Sequence, residues 1–257
     1  MNDSIQASSI NRLGLLEPRG RGMLVIIDPS MADSHHLATG VLAGATVFQL
    51  DPDRDGILQI DDYLHQHPVF TSLHILCHGA PSSLYLGSSK LEIDNLELYA
   101  ANLQRWGRGS LGDREILLYG CQVAKTARGR KFVKRLSDIT AAPIAAAADL
   151  TGNEALGGTW ELAYRTGKIQ SKLALQPGVM ATYAAVMAVN IADGDVRGLI
   201  DAINNANDGA DTVINLASNG IYELPAHTGP FNTPAGRRSQ YQSWLERFAS
   251  HSDSSDN

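Results

Sequence analysis

Two short pairs in this chain could do chemistry together: His78-Gly79, after the apolar run "SLHILC", and Gly120-Cys121, after "EILLYG". An imidazole that takes a proton from a thiol creates a thiolate nucleophile and can return the proton to a leaving amine. The glycines let backbone approach a substrate closely, so the Gly79 and Cys121 amides form a candidate oxyanion pair. Taken singly, a buried cysteine after an apolar strand is more often inert core, and a His-Gly pair more often a turn. The pairing has meaning only if the two apolar runs are neighbouring strands. Ligands of open parallel sheets sit outside the carboxyl ends of the strands, where both residues would then share a crevice. Cys121 is expected at the start of a helix, whose dipole would lower the thiol pKa.

The surrounding pattern supplies such a frame. "MLVIID", "ATVFQL", "SLHILC", "EILLYG" and "APIAAAA" read as short, almost wholly apolar strands. Helical spacing recurs between them, through Leu37, Val41 and Leu42, then Ile57, Ile60, Tyr63 and Leu64, then Leu96, Tyr99, Leu103 and Trp106. A longer helix follows the fourth strand, carrying Val123, Ala127, Phe132, Val133, Leu136 and Ile139. "SSLYLGSSKLEI" reads as a small hairpin. Alternating strands and helices call for an α/β fold, a three-layer α/β/α sandwich around a mostly parallel sheet. Residues 157–175 are expected to form a terminal β-hairpin that adds an edge to it. The expected organisation is a flexible leader at 1–20, the α/β domain at 21–175 and a linker at 176–190. A small second region at 191–235 and a tail at 236–257, a short helix followed by a disordered end, complete it.

Composition narrows the possible partners. Of 257 residues, 44% are hydrophobic and 19% charged, which suits a soluble globule, and the net charge of −6 argues against nucleic-acid binding. No run is apolar and long enough to span a bilayer, and no ordinary secretory signal is visible. A soluble chain is expected, with export by a route lacking such a signal left open. Cys77 and Cys121 cannot build a disulfide framework, and no cofactor is expected. "DPDRDGILQIDD" imitates a calcium loop, with Asp51, Asp53, Asp55 and Asp62 in step. Pro52 and the preceding strand favour a plain strand-to-helix turn instead, so no metal is assigned. Cys77, His74, Trp106 and Trp160 read as core.

In order, "strand–His-Gly … strand–Gly-Cys–helix" resembles the caspase-like cysteine peptidases, a group that includes metacaspases, gingipains, legumain and toxin self-processing domains. The resemblance implies that His78 is the catalytic histidine, Cys121 the nucleophile and Gly79 an oxyanion donor. It also marks Asp28, after the first strand, as a substrate-binding residue for a basic side chain. Asp149, after the fifth strand, is a second such candidate. Tyr119 departs from the pattern, standing where caspases carry Gln and metacaspases Asp. More closely, "VIIDPS", "HILCHGAPSSLYLG", "LLYGCQVA" and "AAAADLTGNEALGGTWELAYRTGKI" are similar to a domain of unknown function found at the head of large bacterial surface and repeat proteins. After it, "DTVINL" and "GIYEL" resemble the opening of a parallel β-helix, about one coil of it. Two expectations follow. One is a cysteine endopeptidase acting on a polypeptide, its own chain or a surface protein, with cleavage after a basic residue. The other is a non-catalytic module of an adhesin or secreted repeat protein.

Overall fold

The computed structural model describes residues 22–109 and 112–187, together with the short strands Asn190–Ile191 and Asn215–Leu216. Strand β1 (Gly22–Ile27) buries Leu24, Val25, Ile26 and Ile27 completely, because both of its faces are covered. It pairs in parallel with β2 (Thr46–Gln49) on one side and β3 (Phe70–Leu76) on the other. Beyond β3 come β9 (Glu115–Leu118) and β10 (Ile144–Ala146), also parallel. An antiparallel edge strand, β11 (Tyr164–Arg165), closes that side. The six strands lie in the order β11-β10-β9-β3-β1-β2. Continuous apolar strands are what a parallel sheet covered on both faces demands.

One face carries regular helices: α2 (Gly56–Gln66), α3 (Ala100–Gly107) and α4 (Ala127–Thr140). Their apolar stripes, including Ile57, Ile60, Leu103, Trp106, Phe132 and Leu136, meet Ile75, Cys77 and Leu118 of the sheet. Asp55 begins α2 as a cap, accepting from the Ile57 and Leu58 amides, which fits the strand-to-helix turn read from "DPDRDG". Buried Asp61 ties α2 to α3 through Asn102 and Arg105. Beside this layer, β4 (Gly79–Ala80), β5 (Ser83–Leu86) and β6 (Ser89–Glu92) form a meander that contains the expected hairpin. A second small ribbon pairs β7 (Arg108–Gly109) with β8 (Gly112–Asp113).

The opposite face is covered differently. Among the described residues it carries two six-residue helices, α1 (Ser34–Thr39) and α5 (Pro177–Thr182), and a long irregular run between β11 and Met187. The expected hairpin at 157–175 is therefore reduced to its edge strand. The reason is competition from distant partners: the Gln170 and Ser171 amides bond the Glu115 carboxylate, and the Ala174 amide bonds the Tyr119 hydroxyl. The expected linker at 176–190 also begins later, since Tyr183 and Met187 are buried on the sheet. Beyond it, Asn190–Ile191 (β12) pairs in parallel with Asn215–Leu216 (β13). The leader, the rest of the β-helix-like region and the tail lie outside the described residues.

Candidate functional site

β3 and β9 are neighbours in parallel register, Ile75 opposite Leu118. Carried three residues onward along each chain, that register sets His78 opposite Cys121 at the carboxyl end of the sheet. Alternation puts both on the same face. Leu76, Leu117, Tyr119 and Cys121 belong to the cluster under the irregular layer, whereas Ile75, Cys77 and Leu118 face the helices. The chains stay close past the strands. A Cβ built on Gly79 would fall 2.5 Å from the Gly120 carbonyl carbon and 2.7 Å from the Cys121 nitrogen. Only glycine fits there, and it brings the two proposed oxyanion amides side by side.

His78 is 7% exposed, and its Nε2 lies 3.2 Å from the Ser30 carbonyl oxygen. A carbonyl only accepts, so Nε2 carries a proton and donates it to Ser30. Nδ1 is buried and has no hydrogen-bond partner among the described residues. Ser30 follows β1 on one side of β3, and Cys121 follows β9 on the other. Asp28 secures this arrangement. Its Oδ1 accepts from the Ser30 amide at 2.9 Å and hydroxyl at 2.5 Å, and its Oδ2 accepts from the Gly87 amide at 2.6 Å. With three donors on a carboxylate that is 2% exposed, Asp28 acts as a positioning residue for the carbonyl that orients His78. Asp149 is exposed at the same end of the sheet, its carbonyl accepting from the Gln122 amide.

Cys121 is fully buried. It does not begin a helix: residues 121–124 form turns, Gln122 takes a left-handed φ of 58°, and α4 starts only after its cap, Thr126. The helix dipole acts over a single turn and is out of reach. Burial instead pushes the thiol up to about 12, against backbone hydrogen bonds from Thr151 and Met187 that pull it down. The Thr151 amide donates to the sulfur at 3.1 Å. The thiol is therefore held as SH, and it donates to the Thr151 carbonyl oxygen, 3.7 Å from the sulfur.

Tyr183, Val186 and Met187 belong to the apolar cluster that buries Cys121, and their segment is tied to the loop after Leu150. The Asn153 amide donates to the Ala185 carbonyl at 2.9 Å, and the Met187 amide to the Thr151 carbonyl at 2.8 Å. Gly152 and Val186 form an antiparallel bridge between them. The Gly79 amide donates to the Met187 carbonyl at 3.4 Å, so the proposed oxyanion donor already holds a peptide carbonyl. Ser30, Thr151 and Met187 were not visible in the sequence as site residues, since each acts through main-chain atoms that every residue type has.

Neighbouring candidates resolve as core. His74 bonds the Tyr119 hydroxyl and Ser72 Oγ, each at 3.1 Å, and burial lowers its pKa to about 4. Tyr119 thus clamps the irregular layer to the sheet through Ala174 instead of lining a pocket. Cys77 and Trp106 are buried on the helical face, and Trp160 donates to the Met180 carbonyl. No group of His, Cys, Asp and Glu suited to a metal occurs among the described residues, and no helix there is long and apolar enough to cross a membrane.

Among protein families, the model of the "Domain of unknown function (DUF4347)" matches residues 24–187. No curated protein matches the chain. The chain belongs to the DUF4347 family, whose matched span begins in β1 and ends at Met187.

Proposed function

We propose that this member of the DUF4347 family is a cysteine endopeptidase of the caspase-like type, with His78 and Cys121 as its dyad. One observation carries the reading: a buried His78 Nδ1 without a hydrogen-bond partner among the described residues, on the same face and at the same rim as a cysteine whose sulfur accepts from the Thr151 amide and donates to the Thr151 carbonyl. Leaving a buried polar atom unpaired costs about 1–3 kcal/mol, and such a cost persists where it serves function. In the reaction, Cys121 Sγ adds to a peptide carbonyl while its proton passes to His78 Nδ1. The Ser30 carbonyl stabilises the imidazolium through Nε2–H. The Gly79 and Cys121 amides receive the oxyanion, each donor worth about 3 kcal/mol of the barrier. Nδ1–H then protonates the leaving amine, and water releases the acyl group. The resemblance of the His-Gly and Gly-Cys segments to caspase-like peptidases supports the same assignment. A preference for basic residues rests on Asp149, because the Asp28 oxygens are occupied.

The complete burial of Cys121 favours a second reading, a non-catalytic module in which the irregular segment packed on it is permanent cover. A fluorogenic peptide panel separates the two. The peptidase reading expects turnover that Cys121→Ala lowers at least ~10³-fold. Equal turnover by both proteins leaves the module.

A further inference from the structure

A cavity of about 310 Å³ opens on the irregular face of the sheet, and neither His78 nor Cys121 lines it. Its floor is Leu117 and Ala145, register partners on β9 and β10, together with Leu162; all three are buried. Trp160 makes one wall. Its indole N–H donates to the Met180 carbonyl at 3.1 Å, and its ring meets Tyr183 edge to face with centroids 5.7 Å apart. Ile169, Ser171 and Leu173 make another wall, which is pinned at both ends. Glu115 accepts from the Gln170 and Ser171 amides and the Ser171 hydroxyl, and the Tyr119 hydroxyl accepts from the Ala174 amide. An apolar hollow whose walls are held by such bonds is preformed, as small-molecule sites are.

Charge at the rim narrows the occupant. Arg165 and Lys172 line the cavity with exposed side chains, and none of the ion pairs among the described residues includes either one. Arg165 Nε donates to the Leu162 carbonyl at 3.5 Å, which leaves the terminal N–H groups of the guanidinium for another acceptor. Glu161 is the one carboxylate of the lining, so two cations against one anion make the cavity net positive in a chain of net charge −6. We infer that this cavity binds a small carboxylate with an apolar body. The chain or ring lies on Leu117, Ala145, Leu162 and Trp160, where it displaces water that has few polar partners. The carboxylate meets Arg165, whose planar fork matches its two oxygens, and Lys172. The space equals about ten water molecules in the liquid, the size of a medium-chain acyl or arylalkyl carboxylate. The site stands apart from the dyad, since no residue given a role in peptide cleavage lines it.

The test is calorimetric titration of the full chain with octanoate, phenylpropionate, octanol and octylammonium, with thermal melts to establish folding of each variant. The expected result is one site that takes a carboxylate at least ~10-fold more tightly than octanol or octylammonium. Whichever carboxylate binds better tells an acyl chain from a ring. Arg165→Gln combined with Lys172→Gln changes only exposed side chains, and it should weaken the carboxylates at least ~10-fold while leaving octanol unchanged. Ala145→Leu fills the floor and should abolish binding of every ligand; if it does not fold, the paired rim variant decides alone. Equal affinity for carboxylate and alcohol, a preference for octylammonium, or no binding at millimolar ligand overturns the inference. Carboxylate binding that the paired rim variant leaves intact places the ligand elsewhere and overturns it too.

Discussion

The two faces of the central sheet each bury a cysteine, and the two are buried in different ways. Cys77 looks into the helical layer, among Leu84, Leu86 and Val123, and burial raises its thiol pKa strongly. Cys121, on the next strand and the opposite face, has a raised thiol too, with the Thr151 amide on its sulfur and an unpaired imidazole nitrogen at its rim. Helices with interlocking side chains cover the first. An irregular run held by point hydrogen bonds covers the second. Equal burial therefore does not mean equal chemistry: what differs is the regularity of the cover and the imidazole at the Cys121 rim.

Packing should govern the helical face. Phe132→Ala empties a fully buried site and is expected to cost about 3–5 kcal/mol in chemical denaturation. Peptide hydrolysis per folded molecule should stay unchanged, and a loss of rate beyond the loss of folded protein would break the contrast between the faces.

Protonation should govern the other face. His74 is held near 4 in the folded chain against an ordinary 6.5, because burial disfavours the imidazolium while Glu115 opposes this only in part. Between those pH values the unfolded chain binds the proton and the folded chain does not, so stability falls as pH drops from about 6.5 to about 4. The loss should total roughly 3 kcal/mol and level off below. Denaturation midpoints across that range measure it, and His74→Gln should flatten the slope. An unchanged slope in that variant would assign the effect elsewhere.

Asp28→Asn makes a smaller change on the site itself. The amide can accept from fewer of the Ser30 and Gly87 donors, so the Ser30 carbonyl loses its fixed place against His78. We expect kcat to fall about 10–100-fold with KM nearly unchanged, the pattern of a lost positioning contact. A rise in KM alone would instead assign Asp28 to substrate binding.

Much of the frame was legible because it is local. β1, β3 and β9 are buried on both faces and so read as unbroken apolar runs, while α2 and α4 show one stripe each. The rim holding His78 and Cys121 followed from strand ends alone. The layer over it did not, because Glu115 and Tyr119 determine its path from across the sheet. Nor did the start of α4: Thr126 supplies a side-chain cap to the Gly129 amide, whereas Gln122 takes a left-handed turn that postpones the helix past Cys121.

The pairing of thiol and imidazole can be measured within one molecule by following alkylation of Cys121 and Cys77 by mass spectrometry in Tyr183→Ala. That substitution removes a buried ring and its hydrogen bond to the Ala32 carbonyl, loosening the irregular segment packed on Cys121. Cys121 should react at least ~10-fold faster than Cys77, and adding His78→Ala should erase the difference. Equal rates for the two cysteines, or a fast Cys121 indifferent to His78, would contradict the dyad.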